Sequence, residues 1–476
     1  MPCQKHNLSL NYDLFLSNNG IRSSAYEISF HDQLIKPRFG VCCFQKPGKG
    51  IAVKPHHAAS EQVNGLGKGL GSLAGTVSTQ EVAASGWDIL KEDVSLPVAV
   101  LREQRIEHNL QWMKQFMERY GVQLAPHGKT TMSPALFKRQ MEAGAWGITL
   151  ATAPQVRVAF THGIRRVLMA NQLVGKANMA LIADLQEADP GFSFCCVVDS
   201  SQNVESLGRY FSERGQRLRV LLEYGVSGGR TGVRNEEQER AVRDAISRWP
   251  QALALVGIEV YEGVLKEEAE IRDFLKQTVA RTRAIADESG FAEPRIILSG
   301  AGSAWFDLVA EEFALPQTGL PLDIVLRPGC YLTHDVGIYK AAEARIQANN
   351  PVAQEMQRSL LPALQLWAYV QSRPEPGRAI IALGKRDAAF DAGFPVPTLH
   401  FRPGHSASPM EAPAAWKISA MMDQHAFMDV PPEADLQVGD MLCFDISHPC
   451  LTFDKWKQLL LVDEQYRVTG AVATYF

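Results

Sequence analysis

The chain has 476 residues, 46% hydrophobic and 21% charged, with a formal net charge of −4. This composition excludes wholesale disorder, and the length exceeds what one core usually serves, so a large domain with a smaller companion is expected. The slightly acidic balance supplies no basic field for a nucleic-acid backbone, no apolar run reaches the ~18 residues of a membrane span, and Met1 to Asn19 lack the charged start and apolar run of a signal peptide. Small-molecule partners and a cytoplasmic location follow as expectations. Eight cysteines (Cys3, Cys42, Cys43, Cys195, Cys196, Cys330, Cys443 and Cys450) include two adjacent pairs but no Cys-x-x-Cys spacing. That pattern fits a reduced protein with buried thiols better than a disulfide framework.

Residues 1–80 show no sustained period and turn glycine-rich from Gly65 to Gly75 (GLGKGLGSLAG), which reads as a poorly ordered extension ending in a linker. The glycines follow no strand-like run and lack the Lys-Ser/Thr that closes a phosphate loop. From LPVAVLR at Leu96, and a helical segment through Tyr120, short apolar runs alternate with amphipathic ones, the pattern of parallel βα units. Strand candidates are residues 122–125, 147–151, 167–170, 192–198, 218–223, 255–261, 295–298 and 322–326. Helix candidates between them include 133–143, with Ser133 placed to cap, Pro134 in the first turn and Gly144 after the end, and the long segment 266–289. Eight units across 95–335 match an α/β fold of the (β/α)8 TIM-barrel type, with a doubly wound open sheet as the competing architecture. Over 336–476 the runs LQLWAYVQS, RAIIAL and DMLCFDI predict a smaller β-rich domain, with NNPVAQEMQRSL as an inserted helix or loop.

In a barrel the reactive residues lie just beyond the strands. The first strand is followed by His127-Gly128-Lys129-Thr130. A lysine there can sit in a desolvated site where its pKa falls, as an amine nucleophile needs, although a strand-end lysine is more often a plain solvated loop residue. Asn171 and Gln172 follow the third strand, Gly228-Gly229-Arg230-Thr231-Gly232 the fifth, Tyr261-Glu262-Gly263 the sixth and Ser299-Gly300-Ala301-Gly302-Ser303 the seventh. Small residues before the helix-forming AWFDLVAEE make the last of these a phosphate cradle or an ordinary turn. Near the C-terminus, after Asp423-Gln424-His425, Ser447-His448-Pro449-Cys450 sets imidazole and thiol one residue apart, on one face if extended. This donor pair suits zinc, or is a core cysteine beside a packed histidine.

Together the strings APHGKTTMSPALFKRQMEAGA, ATAPQVRVAFTHGIRRVLMANQLVG, SGGRTGV, GIEVYEG, SGAGS, RPGCYLTHD and ISHPCLTFDKW resemble, in the same order, the D-serine dehydratase and D-threonine aldolase family of fold-type III, alanine racemase-like pyridoxal-phosphate enzymes. The resemblance covers about Ser95 to the end and leaves the N-terminal extension unmatched. It implies that Lys129 carries the Schiff base to pyridoxal 5'-phosphate and accepts the Cα proton, with His127 beside the cofactor. It further implies Arg230 near the ring 3-oxygen, Tyr261 near the pyridine nitrogen, Asn171 nearby, and Gly300, Gly302 and Ser303 around the phosphate. His448 and Cys450 match the zinc pair of the D-serine dehydratase branch; aldolases of the family resemble a His-Cys-Asp arrangement here, so Pro449-Cys450 favours dehydration. The implied activity is a zinc-assisted ammonia-lyase acting on a D-β-hydroxy amino acid such as D-serine, D-threonine or a hydroxyaspartate. A retro-aldol enzyme yielding glycine and an aldehyde, or a noncatalytic cofactor-binding protein, are the alternatives. A homodimer is likewise implied by the family, and Lys385, Arg386, Asp387 and His425 are candidates for contacts to the substrate or metal.

Overall fold

A computed structural model of the chain describes residues 61–70, 75–314 and 319–476. Cys3, Cys42, Cys43 and most of the expected N-terminal extension lie outside the described residues. The part of that extension from residue 61 onward departs from the expectation of a loose linker. β1 (Gln62–Asn64) and β2 (Thr76–Ser78) pair antiparallel, and α1 (Thr79–Ala83) begins with a capping box of Ser78 and Glu81. What orders this segment is burial and charge: Val63, Leu70 and Val82 enter a core shared with Trp367 and Leu460, while Lys68 bonds Asp387 at 2.7 Å and lies 3.9 Å over the Trp456 ring. Periodicity could not show this, because the anchoring residues are isolated and their partners lie far downstream.

β3 (Val98–Arg102) is buried along its whole length, runs antiparallel to β12 (Leu364–Glu375) and parallel to β19 (Gln458–Val462), and so belongs to the C-terminal sheet rather than to the barrel. α2 (Glu103–Tyr120) leads from it back to the barrel. The barrel strands are β4 (Gln123–Leu124), β5 (Ile148–Leu150), β6 (Arg166–Gln172), β7 (Ser193–Val198), β8 (Leu218–Tyr224), β9 (Leu253–Val260), β10 (Ile296–Gly300) and β11 (Leu322–Leu326). Their order is β4-β11-β10-β9-β8-β7-β6-β5, with parallel neighbours. The two ends of this curled sheet meet through the parallel bridge between His127 and Thr149, and Thr149 also donates its hydroxyl to Ala125 O at 2.7 Å. All eight runs expected from the sequence are therefore strands, and the open-sheet alternative is set aside.

Strands covered on both faces need apolar side chains at nearly every position. β9, LALVGIEV, is buried throughout, with Ala254 and Val256 joining Cys195, Val197, Leu221, Ile297 and Val325 in the barrel lumen. Gly257 is required here: a Cβ would lie 1.9 Å from Ile297 O on β10. Helices α3 (Pro134–Glu142) to α9 (Phe306–Phe313) cover the outside. Ser133 occupies the N-cap position of α3 as expected, yet its hydroxyl makes no cap bond.

α10 (Ile338–Asn349) and α11 (Pro351–Met356), the helix expected at NNPVAQEM, lead into the second domain. Its other labelled strands are β13 (Arg378–Ile381), β14 (Val396–Phe401), β15 (Met410–Glu411), β16 (Lys417–Met421), β17 (Ala426–Asp429), β18 (Met441–Asp445) and β20 (Val468–Ala473), forming a mainly antiparallel sheet. Asn109 of α2 ties the two parts: its amide donates to Leu332 O and Leu361 O and accepts from Leu361 N–H, all within 2.9 Å.

Candidate active site

Beyond β4 the chain makes a single 3-10 turn, Gly128–Thr130. A Cβ on Gly128 would strike Phe137 at 2.7 Å and Ile148 at 2.9 Å, so the turn is pressed onto the barrel and Lys129 is held at its mouth. Lys129 is reachable from solvent, but desolvation lowers its pKa below the ordinary lysine value, with Arg230 and Arg327 adding to the fall and Cys450 and Cys330 opposing it. Burial pushes His127 well below its usual value, and its Nδ1 is buried without a hydrogen-bond partner.

Other strand ends converge on the same mouth. Arg230, from the loop after β8, stacks 4.4 Å over the Tyr261 ring that follows β9. Beneath them Glu259 forms a buried ion pair with Arg327, which also donates to Val260 O at 2.8 Å; burial raises the Glu259 carboxyl to about 7. In the SGAGS loop two backbone N–H groups already have a partner. The N–H groups of Ala301 and Gly302 donate to the buried carboxylate of Glu262 at 3.1 and 2.7 Å, because a carboxylate with no solvent access must be hydrogen-bonded. Ser303 Oγ accepts from Gly329 N–H and Cys330 N–H at 3.1 and 3.0 Å, leaving its own O–H to donate. Ala301 has φ +80°, and with Met132 and His334, also at positive φ, it marks local strain around the mouth.

The second domain delivers His448 and Cys450. Cys450 Sγ lies 3.4 Å from Thr130 Oγ1, the residue after Lys129, and 3.6 Å from Cys330 Sγ. The hydrogen bond with Cys330 and that with His448 hold the Cys450 thiol well below its usual range, while the same contacts raise Cys330 and lift His448 to about 9. His448 Nδ1 is 2.8 Å from Asp391 Oδ2. Among the described residues no three or more His, Cys, Asp or Glu side chains already converge as a metal site.

The structure thus brings together Lys129, His127, Arg230, Tyr261, Ser303 and Cys450, with His448 joined through Cys450 and Gly302 beside Tyr261, while Gly300 ends β10 packed against Val260, Val309 and Phe313. Asn171 is fastened at the end of β6, its amide donating to Ala151 O at 2.8 Å. Asp387 is corrected from a substrate candidate to a structural residue: buried, its carboxylate takes Lys68 and Gly384 N–H. Arg386 pairs with Asp423 at 3.7 Å, Lys385 lies 5.0 Å over Phe390, and His425 is exposed. Cys330, Arg327, Glu259 and Asp391 were not singled out from the sequence. The first two directly follow the eighth strand run, so the strand-end rule already applied to the others would have found them.

The model described as "Alanine racemase, N-terminal domain" matches residues 101–333, and that described as "Putative serine dehydratase domain" matches residues 363–462. A D-threonine aldolase from Arthrobacter sp. is 27% identical over 376 residues, 78% of this chain and 89% of that protein. The D-threo-3-hydroxyaspartate dehydratase of Delftia sp. (strain HT23) is 33% identical over 137 residues, 29% of this chain and 35% of that protein. The crystal structure of D-threonine aldolase from Filomicrobium marinum superposes with a TM-score of 0.67 at 22% identity, covering 82% of this chain and 97% of that one. With the alanine racemase-like barrel and the β-rich, serine dehydratase-like second domain in this order, the chain is similar along both parts to the D-serine dehydratase and D-threonine aldolase-like family of fold-type III pyridoxal-phosphate enzymes.

Proposed function

We propose that the chain is a pyridoxal-phosphate- and zinc-dependent ammonia-lyase that dehydrates a D-β-hydroxy amino acid, such as D-serine, to a 2-oxo acid and ammonia. The observation that carries this is the contact of Cys450 with Thr130, which sets an imidazole–thiol pair beside the amine of Lys129.

The residues present fit the cofactor. Lys129 would hold it covalently, Arg230, Tyr261, Asn171 and His127 would surround its ring, and Ser303, with the neighbouring Gly300 and Gly302, would meet its phosphate. The uncommitted Ser303 O–H and the partnerless His127 Nδ1 are the groups such a ligand would satisfy. When bound, the cofactor supplies an electron sink for charge developing at Cα. The lowered pKa of Lys129 favours the neutral amine that would take the Cα proton. His448 and Cys450 form a nitrogen–sulfur donor set suited to zinc, which as a Lewis acid would ease departure of the β-hydroxyl.

The test is a product assay with the cofactor and zinc supplied, offering D-serine, D-threonine and D-threo-hydroxyaspartate and following 2-oxo acid and glycine, with Lys129→Ala as control. Oxo acid that disappears in the variant and after chelation is the expected result. The relatedness to a D-threonine aldolase across 89% of that protein favours a second reading, retro-aldol cleavage; glycine and an aldehyde in place of oxo acid would establish it instead. The same family reading makes the protein a homodimer, supported by exposed Phe390 and Leu451 next to Asp391 and Cys450; sedimentation at the monomer mass would overturn that.

A further inference from the structure

We infer that Cys330 is a third protein ligand of the metal, so that zinc would be held by two cysteines and one histidine. This rests on the metal reading above and adds to it a residue contributed by the barrel. Zinc sits about 2.3 Å from thiolate sulfur, so two thiolates on one tetrahedral ion stand roughly 3.8 Å apart. Cys330 Sγ and Cys450 Sγ are 3.6 Å apart, close to that edge and far from the ~2.05 Å of a disulfide.

The surroundings separate Cys330 from an ordinary core thiol. Cys195 lies in the apolar lumen among Leu168, Val197 and Leu221. Cys330, 3% exposed, instead has polar company: Thr130 Oγ1 at 4.0 Å, the Tyr339 hydroxyl, and the sulfur of Cys450. Its backbone is also fixed. Cys330 N–H donates to Ser303 Oγ, and a Cβ on the preceding Gly329 would come within 2.6 Å of both His127 O and Thr130 Oγ1. The loop is therefore clamped against the Lys129 turn, with its thiol facing the one brought by the second domain.

Donor count points the same way. Catalytic zinc commonly takes three protein ligands and keeps one position open for substrate, whereas His448 and Cys450 alone supply two. Cys450 contacts both Cys330 and His448, so an ion bound at Cys450 lies within reach of each. The two thiols are in place; the partly exposed imidazole, tethered through Asp391, is the ligand that must swing to complete the set.

X-ray absorption fine structure of the zinc-loaded holoenzyme tests this directly, because the cofactor contributes no sulfur. Two sulfurs at about 2.3 Å are expected in the wild type and one in Cys330→Ser. Chelator competition should show the variant's zinc affinity lowered about 100-fold or more, since even partners that only orient a ligand are worth 10–100-fold. A single sulfur in the wild type, or a count that Cys330→Ser leaves unchanged, overturns ligation by Cys330 while the metal reading stands. Wild-type protein that binds no zinc overturns both. The wild-type count decides alone if the variant does not fold.

Discussion

At the scale of single residues, His448 illustrates how one hydrogen bond selects a chemistry. Its Nδ1, 2.8 Å from Asp391 Oδ2, is the nitrogen that donates, and Nε2 is the one that a metal would take on the proposed reading. Replacing Asp391 by Asn removes the carboxylate that orients the ring; zinc affinity should fall about 10–100-fold in competition with a chromogenic chelator, and an unchanged affinity would refute the orienting role. Lys129→Ala should abolish the visible absorbance of lysine-held cofactor and lower turnover by roughly a thousandfold or more, while far-ultraviolet circular dichroism stays native, because Lys129 bears on the site and not on the core. Absorbance that persists would place the cofactor on another amine. These two residues differ in how visible they are in the sequence. Lys129 stands directly after a buried run and is found by position; Asp391 lies in an irregular loop, and only its distance to His448 shows what it does.

At the scale of elements, the barrel strands were legible because strands buried on both faces are apolar at nearly every position, as in β7 and β9. β3 is just as apolar, yet its membership of the second sheet was not legible. A buried run does not name its partner, and here the partner is β12, far along the chain. The SGAGS loop was legible as a glycine-rich strand end, but the claim of Glu262 on two of its N–H groups depends on side-chain direction that no spacing encodes. The joint between domains depends on Asn109, wholly buried and bonded to three backbone groups. Asn109→Ala would leave Leu332 O, Leu361 O and Leu361 N–H without that partner. A loss of about 3 kcal/mol in urea denaturation is expected, at roughly 1 kcal/mol or more for each stranded group; a variant within 0.5 kcal/mol of wild type, roughly the range of ordinary surface changes, would show that the joint relaxes without it.

The whole molecule carries a charge-dependent weakness at the seam between barrel and second domain. His334 is 5% exposed, has φ +45°, and follows the Cys330 turn, its N–H bonded to Cys330 O at 2.7 Å. Burial lowers its pKa to about 4, against 6.5 for the ordinary side chain. Above the unfolded value the imidazole is neutral in both states and its contribution to stability is fully present. As pH falls through the window from 6.5 towards 4, the unfolded chain binds a proton that the folded chain refuses, so stability drains by up to about 1.4 kcal/mol per pH unit, roughly 3 kcal/mol across the window. Below the folded value the loss stops, because both states are then protonated. Other groups titrate in this range too, notably Glu259, so the informative quantity is the difference between wild type and a variant lacking the imidazole. Asn is the replacement to use, since it tolerates a left-handed backbone. Unfolding free energies at pH 7.5 and pH 4.5 should show His334→Asn losing about 2–3 kcal/mol less than wild type on acidification. An offset between the two proteins that is the same at both pH values would mean that His334 takes up its proton in the folded state as readily as in the unfolded one.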